Sequence, residues 1–294
     1  MAPTSGTAAP APAALAGRKS PLRVWLGRNP TIVIGVLILA TLFVSAVLAP
    51  WLAEDPLTFE PINRLKRPSA EFWFGTDQFG RDVYSRVIYG TRISLAVGVS
   101  VAILATAIGL ALGIVCGYYR RADAVVMRIM DGMMAIPSIL LAIALITLMR
   151  ASLTIVIVAI TLPEIPRVVR LVRSVVLTVR AQPYIEAAIG SGTRNLVIMV
   201  RHILPNTMAP LIVQATYVCA SAILTEAGLS FLGAGTPPEI PSWGNVISLG
   251  RSFFQLAPWI IFFPGFLLAI TVLAINLVGD GLRDTLDPRI SRRM

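Results

Sequence analysis

Few side chains in this sequence have the types and spacing that catalysis or metal binding requires. His202 is the single histidine, and the two cysteines, Cys116 and Cys219, lie far apart in apolar runs. A zinc site needs several His or Cys ligands, and a hydrolase needs a base beside its nucleophile. The G-x-x-x-x-G-K-[ST] phosphate loop is absent, since AGRKS at 16–20 lacks its leading glycine and spacing. We therefore expect a non-catalytic chain with no metal or cofactor of its own, and we interpret His202 as a packing or interface residue.

Two acidic residues fall inside apolar runs, where a charge is costly. Glu164 lies between Pro163 and Pro166, and Glu226 lies near the end of a later run. An ionisable group in a membrane span is a candidate for a transport pathway. Glu164 could instead lie near an interface or pair with Arg167, and Glu226 could have a structural role. Both are kept as candidate pathway-lining residues.

The composition indicates an all-α integral membrane protein. Of 294 residues, 56% are hydrophobic and 14% are charged, whereas soluble domains carry about 25% charged residues. A bilayer span needs roughly 20 apolar residues, and the sequence predicts six, listed in order as 31–53, 93–118, 127–149, 152–172, 208–232 and 257–280. In the third, Asp131 is expected to pair with Arg128 three residues away.

A repeat of small residues in the second span predicts close helix packing. Gly109, Gly113 and Gly117 recur every four residues and therefore share one helix face. A face without side chains allows another backbone to approach closely. These glycines are predicted to be helix-packing residues.

The basic residues predict the orientation. Of 25 Lys and Arg residues, 17 lie in the N-terminal flank, near 120–128, in 167–201 or in the C-terminal tail. Such an excess favours the cytoplasmic side, so both termini are expected to be cytoplasmic in a multi-pass protein of the cell membrane. The predicted organisation is a disordered Ala/Pro-rich tail (1–30), a first span (31–53), an extracytoplasmic segment (54–92), a core domain with five more spans (93–280) and a basic tail (281–294).

The polar stretch YIEAAIGSGTRNLVIMVRHILPN, residues 184–206, lies between the fourth and fifth spans. Pro183 suits a first helical turn, and Glu186 in that turn complements the positive end of a helix. Gly190 and Gly192 then permit a sharp exit before a second helical stretch. The pattern predicts a helix, a glycine corner and another helix at the cytoplasmic surface. This projection could dock on a soluble partner or rest as an amphipathic loop on lipid headgroups.

The same stretch resembles the EAA signature of ABC importer permeases. The matching residues are Glu186, Ala187, Ala188, Gly192, Leu204 and Pro205. His202 stands where the general signature favours isoleucine, and with Gly190 it completes the set of residues expected to couple to the ATPases. The variant RHILPN is similar to the dipeptide/oligopeptide/nickel branch, as are FGTDQFGRDVYSRVIYGTRISLAVG (74–98), EAGLSFLGAGTPPEIPSWGNVIS (226–248) and NLVGDGLRDTLDPR (276–289). The order of these motifs along the chain resembles that of the C-type permease subunit of a peptide importer. LPEIPRVVR (162–170) departs from the branch, whose members commonly place aromatic residues before the arginine.

The resemblance implies a type I ABC importer permease with six transmembrane helices and a coupling helix in the loop 182–205. It implies that this loop receives the motion of two ATPase domains, which bind ATP and magnesium. It also implies a second homologous permease, an extracytoplasmic substrate-binding protein and a dipeptide or oligopeptide cargo, with no nucleic acid. The segment 52–77 would then meet the binding protein, cap the pore entrance or be a solvated linker.

Two kinds of alternative stay open. Another cargo of the same family, such as a nickel chelate or a peptide-like molecule, fits the same residues. A secondary transporter or channel would favour an inverted repeat and paired intramembrane acids, and neither is clear in the sequence.

Overall fold

The computed structural model describes residues 30–286, which are mainly helical, with one isolated antiparallel bridge between Thr76 and Asp82. The helices are α1 (Pro30–Val47), α2 (Ala49–Leu52), α3 (Val83–Tyr118), α4 (Arg120–Met134), α5 (Ser138–Met149), α6 (Leu153–Arg180), α7 (Pro183–Gly190), α8 (Asn195–Ile198), α9 (Leu204–Phe231), α10 (Trp243–Gly250) and α11 (Trp259–Leu286). A π-helical turn, Met199–Ile203, joins α8 to α9. The tail at residues 1–29 and the end of the basic tail, 287–294, lie outside the described residues.

The long helices are apolar enough to cross a bilayer, with one exception. By length and composition α1, α3, the continuous α8–α9 helix and α11 qualify as spans, and the bent pair α4–α5 adds a fifth. The predicted fourth span corresponds to α6, which has 28 residues and is therefore about 42 Å long. Its length is sufficient, but it carries Glu164 and four arginines, so composition alone does not identify it.

The predicted third span, 127–149, is not one continuous helix. Helix α4 ends at Met134, α5 begins at Ser138, and their axes are bent by 88°. Pro137 lies between them and restricts the residue before it to extended conformations, so one straight helix cannot pass through. Asp131, at the end of α4, binds Arg170 of α6 at 2.6 Å. The predicted Asp131–Arg128 pair is therefore wrong.

Helix α3 begins at Val83, ahead of the predicted start at residue 93. The Asp82 carboxylate accepts hydrogen bonds from the backbone N–H groups of Tyr84 and Ser85. This N-cap satisfies donors that the first turn leaves free, which explains why polar residues open the helix. We call the two ends of the bundle the Val83 end and the Tyr118 end, after the first and last residues of α3.

Helices α3 and α6 form the centre of the bundle through the glycine repeat. A β-carbon added at Gly113 would lie 2.6 Å from the Cβ of Val172. One turn to either side, Gly109 and Gly117 would each meet a valine in the same way, Val168 and Val176, at 2.5 Å. The three valines are buried. The two backbones therefore approach because three missing side chains receive three branched ones in register.

At the Val83 end, the segment before α3 folds against the bundle. Trp259 of α11 donates its indole N–H to the carbonyl of Thr76 at 3.2 Å. Asp77 accepts a hydrogen bond from the buried Arg81 at 2.7 Å, and its carboxylate lies 3.9 Å from the fully buried Arg86. The predicted extracytoplasmic segment is thus ordered by tryptophan and arginine contacts.

Candidate functional site

Helix α7 carries the EAA residues and projects from the Tyr118 end of the bundle. Gln182 precedes the helix in an extended conformation, and Pro183 occupies its first turn. Glu186 lies in the same turn and is exposed. A carboxylate at this position stabilises the positive end of the helix dipole by about 0.3–1 kcal/mol. Ala187 is exposed and Ala188 is half-buried, so small side chains lie where another surface could come close.

Gly192 determines how the chain leaves α7. The N–H of Thr193 donates to the carbonyl of Ala188 at 3.1 Å, and the N–H of Gly192 donates to that of Ile189 at 3.0 Å. This pair of bonds is a Schellman motif, which places its penultimate residue in the left-handed region. Gly192 has a φ of 76°, a conformation that glycine adopts at little cost. Gly190 has no neighbour within 4 Å of an added β-carbon.

Three isoleucines fasten this projection to the bundle. Ile185 of α7, Ile198 of α8 and Ile203 of the π-helical turn are each 0% exposed and join the main hydrophobic core. Pro205 provides no N–H for the carbonyl of Arg201, which interrupts the ordinary helical pattern where the π-helical turn occurs. The projection and helices α6 and α9 therefore share one hydrophobic core.

The outward surface of the same projection is apolar. Tyr184, Ile189, Leu196 and Val200 are between 47% and 68% exposed. Apolar residues clustered on a polar loop mark interaction surfaces. His202 is half-buried, and its ring lies 6.2 Å from that of Tyr184. Leu204 and Pro205 open α9 behind this surface.

Two further bonds connect the projection to α3. The hydroxyl of Tyr118 donates to Oδ1 of Asn195 at 2.8 Å. The guanidinium of Arg180, at the end of α6, donates to the Tyr118 carbonyl at 2.8 Å and lies over its ring. Tyr118 therefore joins α3, α6 and α8 at one point. No sequence motif marks Tyr118 or Asn195, although Tyr118 directly follows Gly117, the last member of the glycine repeat.

Two ion pairs fix α4 beside this junction. Arg173 of α6 donates through Nε and Nη2 to the two carboxylate oxygens of Asp123, the second at 2.7 Å. Arg170 binds Asp131 as described above. Two-point guanidinium–carboxylate bonds fix orientation as well as distance. Helix α4 is thus held against α6 by these pairs and by the packing of Met130 against Ile165 and Val169, while α5 runs in another direction after the bend.

Glu164 and Arg167 form a pair midway along α6. Arg167 donates to Glu164 at 3.2 Å, which is the pairing that the sequence left open, and Ser221 of α9 donates to the other carboxylate oxygen at 3.2 Å. Arg167 also lies 5.2 Å from the ring centre of Tyr217. The Arg167 side chain is 47% exposed and that of Glu164 is 11% exposed.

Glu226 is enclosed at the Val83 end. Its Oε1 accepts hydrogen bonds from Ser230 and Ser242 at 2.8 Å and from Thr236 at 3.3 Å. The amide of Asn245 donates to the carbonyl of Thr236 and to three other oxygens around it. The side chain is 0% exposed. In this chain Glu226 holds the turn between α9 and α10, and its role as a pathway-lining residue stays a prediction.

No cluster of three or more His, Cys, Asp or Glu side chains suited to a metal ion occurs within residues 30–286. The arrangement instead combines a bundle of long apolar helices with an attached helical projection whose outer surface is apolar. These features define an integral membrane protein with a surface suited to contact with another protein.

Comparison with known proteins identifies the family. Residues 109–292 match the family described as binding-protein-dependent transport system inner membrane component, and the chain belongs to it. A probable peptide ABC transporter permease of Sinorhizobium fredii is 56% identical over 266 residues, which cover 90% of this chain and 91% of that protein. A dipeptide transport system permease of Alkalihalophilus pseudofirmus is 45% identical over 90% of this chain and 88% of its own length. The resemblance drawn from the EAA stretch is confirmed.

A solved structure agrees with the fold. The MetNI methionine ABC transporter, in an inward-facing conformation, superposes with a TM-score of 0.57 at 22% identity. The match covers 68% of this chain and 96% of that one. The predicted all-α fold of a type I importer permease is therefore confirmed.

Proposed function

We propose that this chain is one of two permease subunits of an ATP-driven importer of dipeptides and short oligopeptides. The names of the relatives support this cargo, since proteins 56% and 45% identical over 90% of the chain are described as peptide and dipeptide permeases. The second permease is a homologous chain, and a separate extracytoplasmic protein captures the cargo. ATP and magnesium bind to two ATPase domains and not to this chain.

The mechanism is supported by one observation: helices α7 and α8 are anchored to the bundle on their inner surface and exposed on their outer surface. Their outer surface presents Tyr184, Ile189 and Leu196, which are about half-exposed or more. Their inner surface is anchored by buried isoleucines and by the Tyr118–Asn195 bond. Movement of an ATPase against the outer surface is therefore transmitted to α3, α6 and α9 as one body.

The proposal also sets the orientation. The Tyr118 end, with α7, faces the cytoplasm together with both termini, and the Val83 end faces the capture protein. The excess of arginines at the Tyr118 end supports this direction.

A cargo related to short peptides is the second candidate. A glutathione transport system permease of Pectobacterium atrosepticum is 41% identical over 87% of this chain and 84% of its own length. Glutathione has a peptide bond through a side-chain carboxyl, so a permease of this type need not require an ordinary peptide backbone.

Uptake by the reconstituted importer tests the proposal. Proteoliposomes containing both permeases and the ATPases are given the capture protein and labelled alanyl-alanine. We expect uptake only with ATP inside and capture protein outside. Uptake by this chain alone, or uptake driven by a proton gradient without ATP, would contradict the proposal. Labelled glutathione in parallel distinguishes the two cargoes.

A further inference from the structure

The Glu164–Arg167 pair lies about halfway along α6 and faces α9. Arg167 is the fifteenth residue of the 28-residue α6, so it lies about 21 Å from the helix start. Tyr217 and Ser221 of α9 lie beside the pair. An arginine inside a membrane span costs up to about 2.5–3.5 kcal/mol on insertion scales, so its presence in α6 calls for a specific explanation.

The pair differs from the ion pairs that hold the bundle together. Arg173 uses two guanidinium nitrogens on the two oxygens of Asp123. Arg167 uses one nitrogen on Glu164, at 3.2 Å, and within the described residues its other nitrogens donate no hydrogen bond. Because 47% of the Arg167 side chain is exposed, those donors face space that the helices of this chain do not fill.

The surroundings hold Arg167 in one orientation. The carboxylate of Glu164 is fixed from its other side by the Ser221 hydroxyl, at 3.2 Å. The ring of Tyr217 lies 5.2 Å from the guanidinium carbon and is itself 51% exposed. A cation over an aromatic ring gains about 0.5–2 kcal/mol. Glu164 and Tyr217 therefore contact Arg167 on two sides, and its remaining guanidinium N–H groups are free to bind another group.

We infer that Arg167 binds a carboxylate group of the cargo as the cargo crosses the membrane. Glu164 and Tyr217 are positioning residues that present the unused guanidinium edge. A guanidinium is planar and matches a carboxylate with two parallel hydrogen bonds. A peptide with an unmodified C-terminus carries such a carboxylate. The inference rests on the proposed function and names the chemical class that the pathway recognises.

Binding measured without the capture protein tests the site directly. The detergent-solubilised importer is mixed with millimolar alanyl-alanine or its C-terminal amide, and saturation-transfer NMR reports binding of each probe. We expect the acid to bind more tightly than the amide, and Arg167→Gln to weaken acid binding by about 10- to 100-fold, as a charged hydrogen bond of this kind contributes. Arg170→Gln is the matched control, since Arg170 lies one turn away, is 45% exposed and binds Asp131.

Glu164→Gln separates a cargo contact from a structural pair. If Arg167 served only to neutralise the 11% exposed Glu164, the loss in Arg167→Gln would come from the unpaired carboxylate and would be relieved when Glu164→Gln is added. We expect Arg167→Gln to lower alanyl-alanine uptake per ATP by at least about tenfold, and the double variant to stay as low. Recovery of uptake in the double variant, equal binding of acid and amide, or no binding of either probe would overturn the inference. If the wild type still shows ATP-dependent uptake in the same proteoliposomes, the role of Arg167 is refuted while the proposed function stands.

Discussion

Replacement of Gly113 by alanine tests whether the α3–α6 contact determines the stability of the bundle. The new β-carbon would lie 2.6 Å from Cβ of Val172 and 3.1 Å from the Val169 carbonyl oxygen. Carbon atoms in contact prefer about 3.5–4.0 Å, so the helices must separate by roughly 1 Å. Overpacking of this kind costs about 1–3 kcal/mol, which exceeds the gain of about 0.5–1 kcal/mol from replacing glycine in a helix.

The assay is the midpoint of heat-induced unfolding of the purified importer in detergent. A net loss of about 1–2 kcal/mol corresponds to a fall of roughly 2–8 °C for a domain of this size. Gly132→Ala is the matched control, because Gly132 is also helical and an added β-carbon there meets nothing within 4 Å. It should leave the midpoint unchanged or raise it.

A second substitution identifies the cause. Val172→Ala keeps the β-carbon that collides with residue 113, so it should rescue Gly113→Ala only partly. Val172→Gly removes that atom, and the double variant should lose less stability than the two single variants together. A Gly113→Ala importer as stable as the wild type, or a double variant with strictly additive losses, would refute the packing argument.

Three other predictions concern the projection and the Val83 end. Gly192→Trp should insert normally but abolish uptake, because a side chain at a φ of 76° distorts the corner of α7; wild-type uptake would contradict this. Tyr118→Phe removes the hydrogen bond to Asn195, so it should lower stability by about 1 kcal/mol and lower the amount of peptide delivered per ATP. Tyr119→Phe should change neither. Equal amounts of peptide per ATP in the two variants would contradict a coupling role for the contact of Tyr118 with α6 and α8. Glu226→Gln should lower the unfolding midpoint by less than Glu226→Ala, which leaves three buried hydroxyls without a partner at a cost of about 1–3 kcal/mol. Equal losses in the two neutral variants would show that charge, and not hydrogen bonding, holds the turn.

Local chemistry explains which features the sequence predicted well. The spacing of Gly109, Gly113 and Gly117 repeats with the helix, and the structure places a valine of α6 against each of them. Pro183 and Gly192 are a helix start and a helix end, and α7 lies between them. Such signals depend on residues close together in the chain, so they can be interpreted without the rest of the fold.

Features that depend on distant residues were not predictable in the same way. Asp131 has an arginine three residues away, yet it binds Arg170, 39 residues further on, because α4 lies against α6. The bend at Pro137 makes that arrangement possible. The hydropathy of residues 127–149 does not reveal the bend. The hydroxyls around Glu226 come from a turn that contacts α9 only after the chain has folded back.

The central claim is that α7 receives movement from an ATPase on the cytoplasmic side. A photo-crosslinking amino acid at position 189 tests this claim in the intact importer in its membrane, since Ile189 is 47% exposed. Position 62 is the control, because Ile62 is 91% exposed and lies at the Val83 end. The account predicts an adduct with an ATPase subunit from position 189 and none from position 62. An adduct between position 189 and the capture protein, or adducts with lipid alone, would contradict it.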